Sequence, residues 1–180
     1  MESEKLQLIR LTADHEIKSF DCGNPDLNDF LVNDAQGYHR QLISVTYLLE
    51  SNSKTVAFFS LSNDKVTTDD TTKTFFKRFK RKLPRSKHRK DYPAVKIGRL
   101  AVSKEYCGKK HGTRILNYVK YLFITNNRTG CRFITVDAYA PARTFYEKNG
   151  FHYFQTTDKT KELQNTDTVL MYFDLQTLPE

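Results

Sequence analysis

The segment EYCGKKHGTRIL, Glu105 to Leu116, places two glycines, two lysines and a histidine between a strand-like run, AVKIGRLAV, and a stretch with helical apolar spacing. A chain that leaves a strand and enters a helix points the unpaired amides of the helix start at whatever occupies the loop, and the helix dipole favours an anion there. Gly108 and Gly112 permit conformations and close approaches denied to other residues, while Lys109, Lys110 and His111 add positive charge. A pyrophosphate fits that description. Taken alone, the pattern also suits an ordinary basic loop.

A second chemical feature is the run KTFFKRFKRKLPRSKHRK, Lys73 to Lys90, which holds ten of the 29 Lys and Arg residues and no acid. Set against the net charge of +8, those ten leave the rest of the chain at −2, so one segment carries the whole surplus. Bases clustered on one element and interleaved with aromatics suit a nucleic-acid backbone, whose neutralisation releases counterions. Lys77, Arg78, Arg81, Lys82 and Arg85 are the candidate phosphate contacts. The alternative is a solvated face with Phe75, Phe76 and Phe79 in the core. Arg99, inside AVKIGRLAV, is a further candidate for a substrate phosphate, with a structural ion pair as its alternative.

Other chemistries find no support. Cys22, Cys107 and Cys131 are odd in number and far apart, and the five histidines lack ligand spacing, so neither a disulfide frame nor a metal is expected. Cys22 has no paired histidine and reads as a turn residue. The start, MESEKLQLIRLT, has acids where a signal peptide has bases, and no apolar run approaches the ~20 residues of a membrane span. A cytoplasmic protein without membrane contact is expected. At 180 residues the chain fits one domain, 1–180, able to bury a core without staples.

The elements that must carry these residues are legible in outline. KLQLIRLT alternates as a first strand. NPDLNDFLVNDAQGYHRQL carries a helical stripe of Leu27, Phe30, Leu31, Ala35 and Tyr38, with Asn24 as cap and Pro25 at the first helical position. SVTYLLES and TVAFFSLS, separated by NSK, read as a hairpin. TTKTFFKRFKRKL reads as a short amphipathic helix ended by Pro84. AVKIGRLAV is a central strand; Ile115, Leu116, Val119, Leu122 and Phe123 recur at helical spacing after the loop; CRFITVDAY is another strand, completing a βαβ crossover. PARTFYEKNG is a short helix between Pro141 and Gly150, and FHYFQTT with TVLMYFDL ends the chain as a hairpin.

RLAV, a loop ending in glycine, a helix, a strand and FYEKNGF together resemble the acetyl-CoA-binding half of the GNAT superfamily of N-acetyltransferases. The family's loop reads Q/R-x-x-G-x-G/A, which aligns with Cys107, Gly108, Lys109, Lys110, His111 and Gly112; Cys107 and Lys110 depart from it. The phrase FDCGNPDLNDFL, with RLAV and FYEKNGF, resembles the branch that serves as toxins in bacterial toxin-antitoxin pairs and acetylates the amino group of aminoacyl-tRNA. The resemblance spans about Lys5 to Leu175.

That resemblance implies an α/β fold: one GNAT-like domain with a mixed, mostly antiparallel central sheet, a splayed parallel strand pair and flanking helices. It implies acetyl-CoA held by Leu100, Ala101 and Val102 and by Cys107, Gly108, Lys109, Lys110, His111, Gly112 and Thr113. The general acid it implies is Tyr146, whose phenol, with a reference pKa of about 10, can give a proton to a thiolate. No side chain stands out as general base: Asp137 and Glu105 lie near strand ends and read as solvated carboxylates or helix-terminus partners. An α-amino group, near pKa 7.7 to 8.0, needs less help than a lysine at about 10.4. The expected partners are therefore acetyl-CoA and tRNA, with a cognate antitoxin and a homodimer as further candidates. A GNAT enzyme for a small amine or protein amino group stays open, as does a degenerate RNA- or protein-binding domain.

Overall fold

The computed structural model describes residues 5–67, 90–125, 127, 129–154 and 167–178. Seven strands, Gln7–Arg10 (β1), Val45–Glu50 (β2), Thr55–Thr67 (β3), Asp91–Val102 (β4), Phe133–Tyr139 (β5), His152–Tyr153 (β6) and Thr168–Asp174 (β7), form one sheet in the order β1-β2-β3-β4-β5-β7-β6. β4 and β5 are its parallel pair, so the sheet is mixed and mostly antiparallel, and helices flank it. By their packing the described residues fall into two compact units, one within 1–62 and 97–119 and the other within 63–96 and 120–180, with β3 and β4 contributing to both.

In the first unit, β1 pairs with β2 and β2 with β3, all antiparallel. The seven residues from Thr55 to Leu61 are all buried, which is why TVAFFSL reads as a continuous apolar run. β2 alternates between buried and half-buried positions. Its last residue, Glu50, is buried, and Lys18 Nζ at 2.9 Å and His15 Nε2 at 3.1 Å compensate it.

The capped helix forms as its sequence predicts. The Asn24 side chain accepts from the Leu27 amide, and Pro25 opens α1 (Pro25–Asp29). The surprise is that α1 runs through a π-turn, Phe30–Asp34, before α2 (Ala35–Arg40). Phe30 and Leu31 in that turn, with Leu11, Ala35, Leu48, Phe58 and Ala101, make the unit's core. Leu31 is fully buried, so Leu31→Ala removes about 2–5 kcal/mol.

In the second unit β5 pairs antiparallel with β7 from Phe133 opposite Asp174 to Tyr139 opposite Thr168, and β7 with β6. The Arg132 amide donates to the Pro93 carbonyl at 2.9 Å, and the Arg132 guanidinium holds Asp174 at 2.9 Å. Val66, Tyr92, Ala94, Phe133 and Phe154 pack as a core cluster.

β3 and β4 are longer than TVAFFSLS and AVKIGRLAV suggest. The added stretch of β3, Asn63 to Thr67, opens with the turn-forming and charged types Asn63, Asp64 and Lys65, yet Asp64 accepts from the Thr135 hydroxyl and Lys65 reaches Asp91 at 3.4 Å. Tertiary pairing overrides local propensity there. The expected helix and basic loop of Lys73 to Arg89 lie outside the described residues.

Candidate active site

β4 delivers Leu100, Ala101 and Val102 directly into the loop, with Ala101 buried and its two neighbours half-buried. Ser103 then anchors the loop: its amide donates to the Val56 carbonyl at 2.9 Å. A 3-10 turn, Lys104–Tyr106, follows. The Lys104 amide donates to the Asp21 carbonyl at 2.9 Å and its Nζ lies 3.0 Å from the Asp21 carboxylate, while Lys54 pairs with Glu105 at 2.6 Å. The Asn28 amide, the Gly23 N–H and Lys104 together hold the Asp21 carboxyl down at about 2.

Beyond this anchor Gly108 has φ +77° and Lys110 φ +62°, so both take left-handed backbone. Lys110 therefore keeps the turn that the family's middle glycine would make, at a cost of about 1–2 kcal/mol for a side chain in that region. A Cβ on Gly108 would meet nothing within 4 Å, which leaves its Cα face open to a close-approaching phosphate. α3 (His111–Thr125) starts at once, and the Lys110 carbonyl accepts from the Arg114 amide at 3.0 Å. Gly112 and Thr113 occupy its first turn. Lys109 Nζ lies 4.8 Å from the Tyr106 ring centroid, and the His111 ring is buried edge-on to Tyr106. What His111 presents at the helix start is thus its backbone N–H. Cys107 is exposed. The loop has the open face, left-handed turns and helix-start amides that a pyrophosphate requires.

Tyr146 belongs to the other unit. A 3-10 turn, Ala140–Ala142, uses Pro141 and leads into α4 (Arg143–Lys148). Tyr146 is 5% exposed and meets Phe145 and Phe151 edge-on at 5.2 and 5.3 Å. Its carbonyl accepts from the Asn149 and Phe151 amides, both at 3.0 Å, and Gly150 at φ +82° closes the helix. A Cβ on Gly150 would come within 3.1 Å of the Phe173 ring, which explains glycine in KNGF. Burial pushes the phenol above its usual range, which already lies well above neutral pH.

The two carboxylates weighed as bases are both ion-paired: Glu105 with Lys54 and Asp137 with Lys96. Arg99 is half-buried with its guanidinium 4.1 Å over the Phe30 ring. Lys77, Arg78, Arg81, Lys82 and Arg85 lie outside the described residues. Among those described, no group of His, Cys, Asp and Glu could hold a metal ion, and no helix is long and apolar enough to cross a membrane.

Lys120 is a residue sequence reasoning passed over. It is 8% exposed, donates to the Asn149 carbonyl at 2.6 Å and lies 4.0 Å from the Phe173 ring centroid. The signal was present: a lysine stands inside the apolar stripe of Leu116, Val119 and Phe123.

This fold and loop define an acyl-CoA-type transferase domain, and the family model for an acetyltransferase (GNAT) domain matches residues 43–153. The chain belongs to that GNAT acetyltransferase family. Solved structures share its architecture over nearly the whole length. AtaT complexed with acetyl-methionyl-tRNAfMet has a TM-score of 0.78 at 22% identity over 96% of each chain. A structure described as a bacterial toxin has a TM-score of 0.77 at 15% identity, covering 97% of this chain and 93% of that one. KacT, solved as a tyrosine-to-phenylalanine mutant, has a TM-score of 0.76 at 20% identity over 97% of each chain.

Proposed function

We propose that this protein transfers the acetyl group of acetyl-CoA to the α-amino group of aminoacyl-tRNA, as the toxin of a toxin-antitoxin pair in the cytoplasm. The observation that carries this reading is that the two carboxylates weighed as bases, Glu105 and Asp137, are each held in an ion pair with a lysine. An α-amino group is already partly neutral at physiological pH and needs no such base. A solved neighbour, AtaT, is complexed with the corresponding product, acetyl-methionyl-tRNAfMet.

The loop fits acetyl-CoA on its own geometry. Gly108, Lys110 and the first amides of α3 would hold the pyrophosphate, Lys109 and Lys110 would add charge, and the backbone of Leu100 to Val102 would line the pantetheine arm. When bound, acetyl-CoA supplies a thioester whose carbonyl carbon bonds to the amine nitrogen while its C–S bond breaks. Backbone N–H groups of Leu100 to Val102 would stabilise the charge that develops on the thioester oxygen. Tyr146, a neutral phenol, would supply the proton that the departing sulfur needs, with the proton the amine releases to replace it. Two further neighbours are AtaT mutants, also tyrosine-to-phenylalanine, bound to the C-terminus of the antitoxin AtaR, in keeping with a tyrosine in the reaction and an antitoxin as partner.

The deciding experiment incubates the protein with labelled acetyl-CoA and a pool of charged tRNAs, and identifies what becomes labelled. Label on the aminoacyl group supports the reading. Label confined to small amines or protein amino groups replaces it with the corresponding GNAT activity.

A further inference from the structure

β4 places Arg99 one residue before the stretch Leu100 to Val102 and, by strand alternation, on the face of Ala101, whose side chain joins the Phe30 core. There the guanidinium carbon lies 4.1 Å from the centroid of the Phe30 ring. That ring is only 2% exposed and is fixed from two other directions, stacked on Phe58 at 6.2 Å and met edge-on by Tyr38 at 5.3 Å. Phe30 is also the first residue of the π-turn, a helix irregularity that is frequent at functional sites.

No described residue gives Arg99 an ion pair or a hydrogen bond, in contrast with Arg132, whose guanidinium holds Asp174. Nor is any Arg99 nitrogen among the buried polar atoms sealed from solvent. The group is thus held over an aromatic ring, with its N–H groups taken by no described residue. A guanidinium placed on a ring keeps N–H donors for bidentate recognition of a phosphate or carboxylate. A buried aromatic pedestal beneath a side chain with no ion pair or hydrogen bond among the described residues is hard to explain by stability alone, since the cation–π pair contributes about 0.5–2 kcal/mol.

We propose that Arg99 is the anion receptor for the acceptor, its guanidinium edge taking a phosphodiester oxygen at the 3′ end of the charged tRNA, with Phe30 as its positioning residue. The role rests on the aminoacyl-tRNA reading and adds to it a specific source of discrimination. In aminoacyl-tRNA the nearest phosphodiester is one ribose away from the ester that carries the reacting amine. A receptor one residue from the acetyl-handling backbone therefore registers amine and phosphate together, and acceptors without a phosphate lose that contact. The general basic term of the Lys73 to Lys90 run would act at long range, whereas this one acts at a single atom.

The test measures KM for charged tRNA and for an aminoacyl-adenosine lacking any phosphate, with wild type, Arg99→Ala, Arg99→Lys and Phe30→Leu. Far-UV circular dichroism and thermal melting report whether each variant is folded, and calorimetry reports its acetyl-CoA affinity. In wild type the phosphate-bearing acceptor has the lower KM. Arg99→Ala should shift the ratio of the two KM values against tRNA by about 10- to 100-fold, the range for a charge-assisted hydrogen bond. Arg99→Lys should recover part of the shift, because it keeps the charge without the fork. Phe30→Leu should raise KM for tRNA with kcat held, which a merely structural residue would not do. If both acceptors are acetylated and the ratio stays fixed in Arg99→Ala, the Arg99 role is overturned and the tRNA reading stands. A loss of acetyl-CoA affinity with an unmoved ratio assigns the anion to the cofactor and also overturns it. If wild type acetylates neither acceptor, both readings fall.

Discussion

Lys120 Nζ donates to the Asn149 carbonyl at 2.6 Å, so a buried ammonium group closes the turn that follows the helix of Tyr146. The same ammonium sits 4.0 Å from the Phe173 ring centroid and 5.7 Å from that of Phe151. Its charge is met by a helix C-terminus and two π faces.

That arrangement makes a pH-dependent prediction. Desolvation lowers the Lys120 pKa in the folded state, so between the folded and unfolded values the unfolded chain binds more protons, and stability must rise with pH across that window. Lys120→Met removes this contribution. Chemical denaturation at pH 7 and pH 10 should show wild type gaining stability relative to the Met variant at the higher pH. An unchanged difference would mean that Lys120 is not desolvated.

At Lys110 the left-handed backbone favours glycine. Lys110→Gly should leave acetyl-CoA affinity within a few-fold and raise stability by up to about 1 kcal/mol, read as a higher Tm. Gly112→Asp, by contrast, puts bulk and like charge in the first turn of α3 and should weaken acetyl-CoA binding in calorimetry. Equal affinity of mutant and wild type would remove the loop from the cofactor site.

For Tyr146 the expected effect is catalytic. Tyr146→Phe should lower turnover by roughly 10²- to 10⁴-fold, with acetyl-CoA binding little changed. Turnover equal to wild type would remove the phenol from the mechanism.

The basic run makes a prediction about salt. Lys77→Glu, Arg81→Glu and Arg85→Glu combined should weaken tRNA binding and flatten its log-log salt dependence by up to about 2 to 3 units for three lost contacts. Acetyl-CoA affinity should hold. Filter binding across a salt series checks this, and superimposable curves for mutant and wild type would make the run a solvated face.

How far the sequence could be read follows from which interactions are local. Asn24, Pro25 and the stripe from Leu27 to Tyr38 announce a helix because capping and periodicity act within a few residues, and all three survive in the structure. TVAFFSL and CRFITVDAY are strands for the same reason. The second half of β3 stays hidden because its strand state comes from Thr135 and Asp91, 71 and 26 residues from their partners Asp64 and Lys65. At the site, the glycine-and-base loop and Tyr146 are visible as motifs, whereas the Phe30 pedestal under Arg99 joins residues from separate elements. Composition offers no sign of a π-turn either, since FLVNDAQG carries ordinary helical periodicity.

The π-turn also sets how this helix tolerates changes in length. In an α-helix each residue advances about 100°, and a π-turn absorbs one surplus residue by winding less per residue, so the flanking faces stay in phase. Removing Asn33 would let plain α geometry run through Pro25–Arg40 with Phe30, Leu31 and Ala35 still turned to one core. A second inserted residue has no such slack and would rotate one half against the other by about 100°. Near this turn a single-residue deletion should therefore be better tolerated than a single-residue insertion.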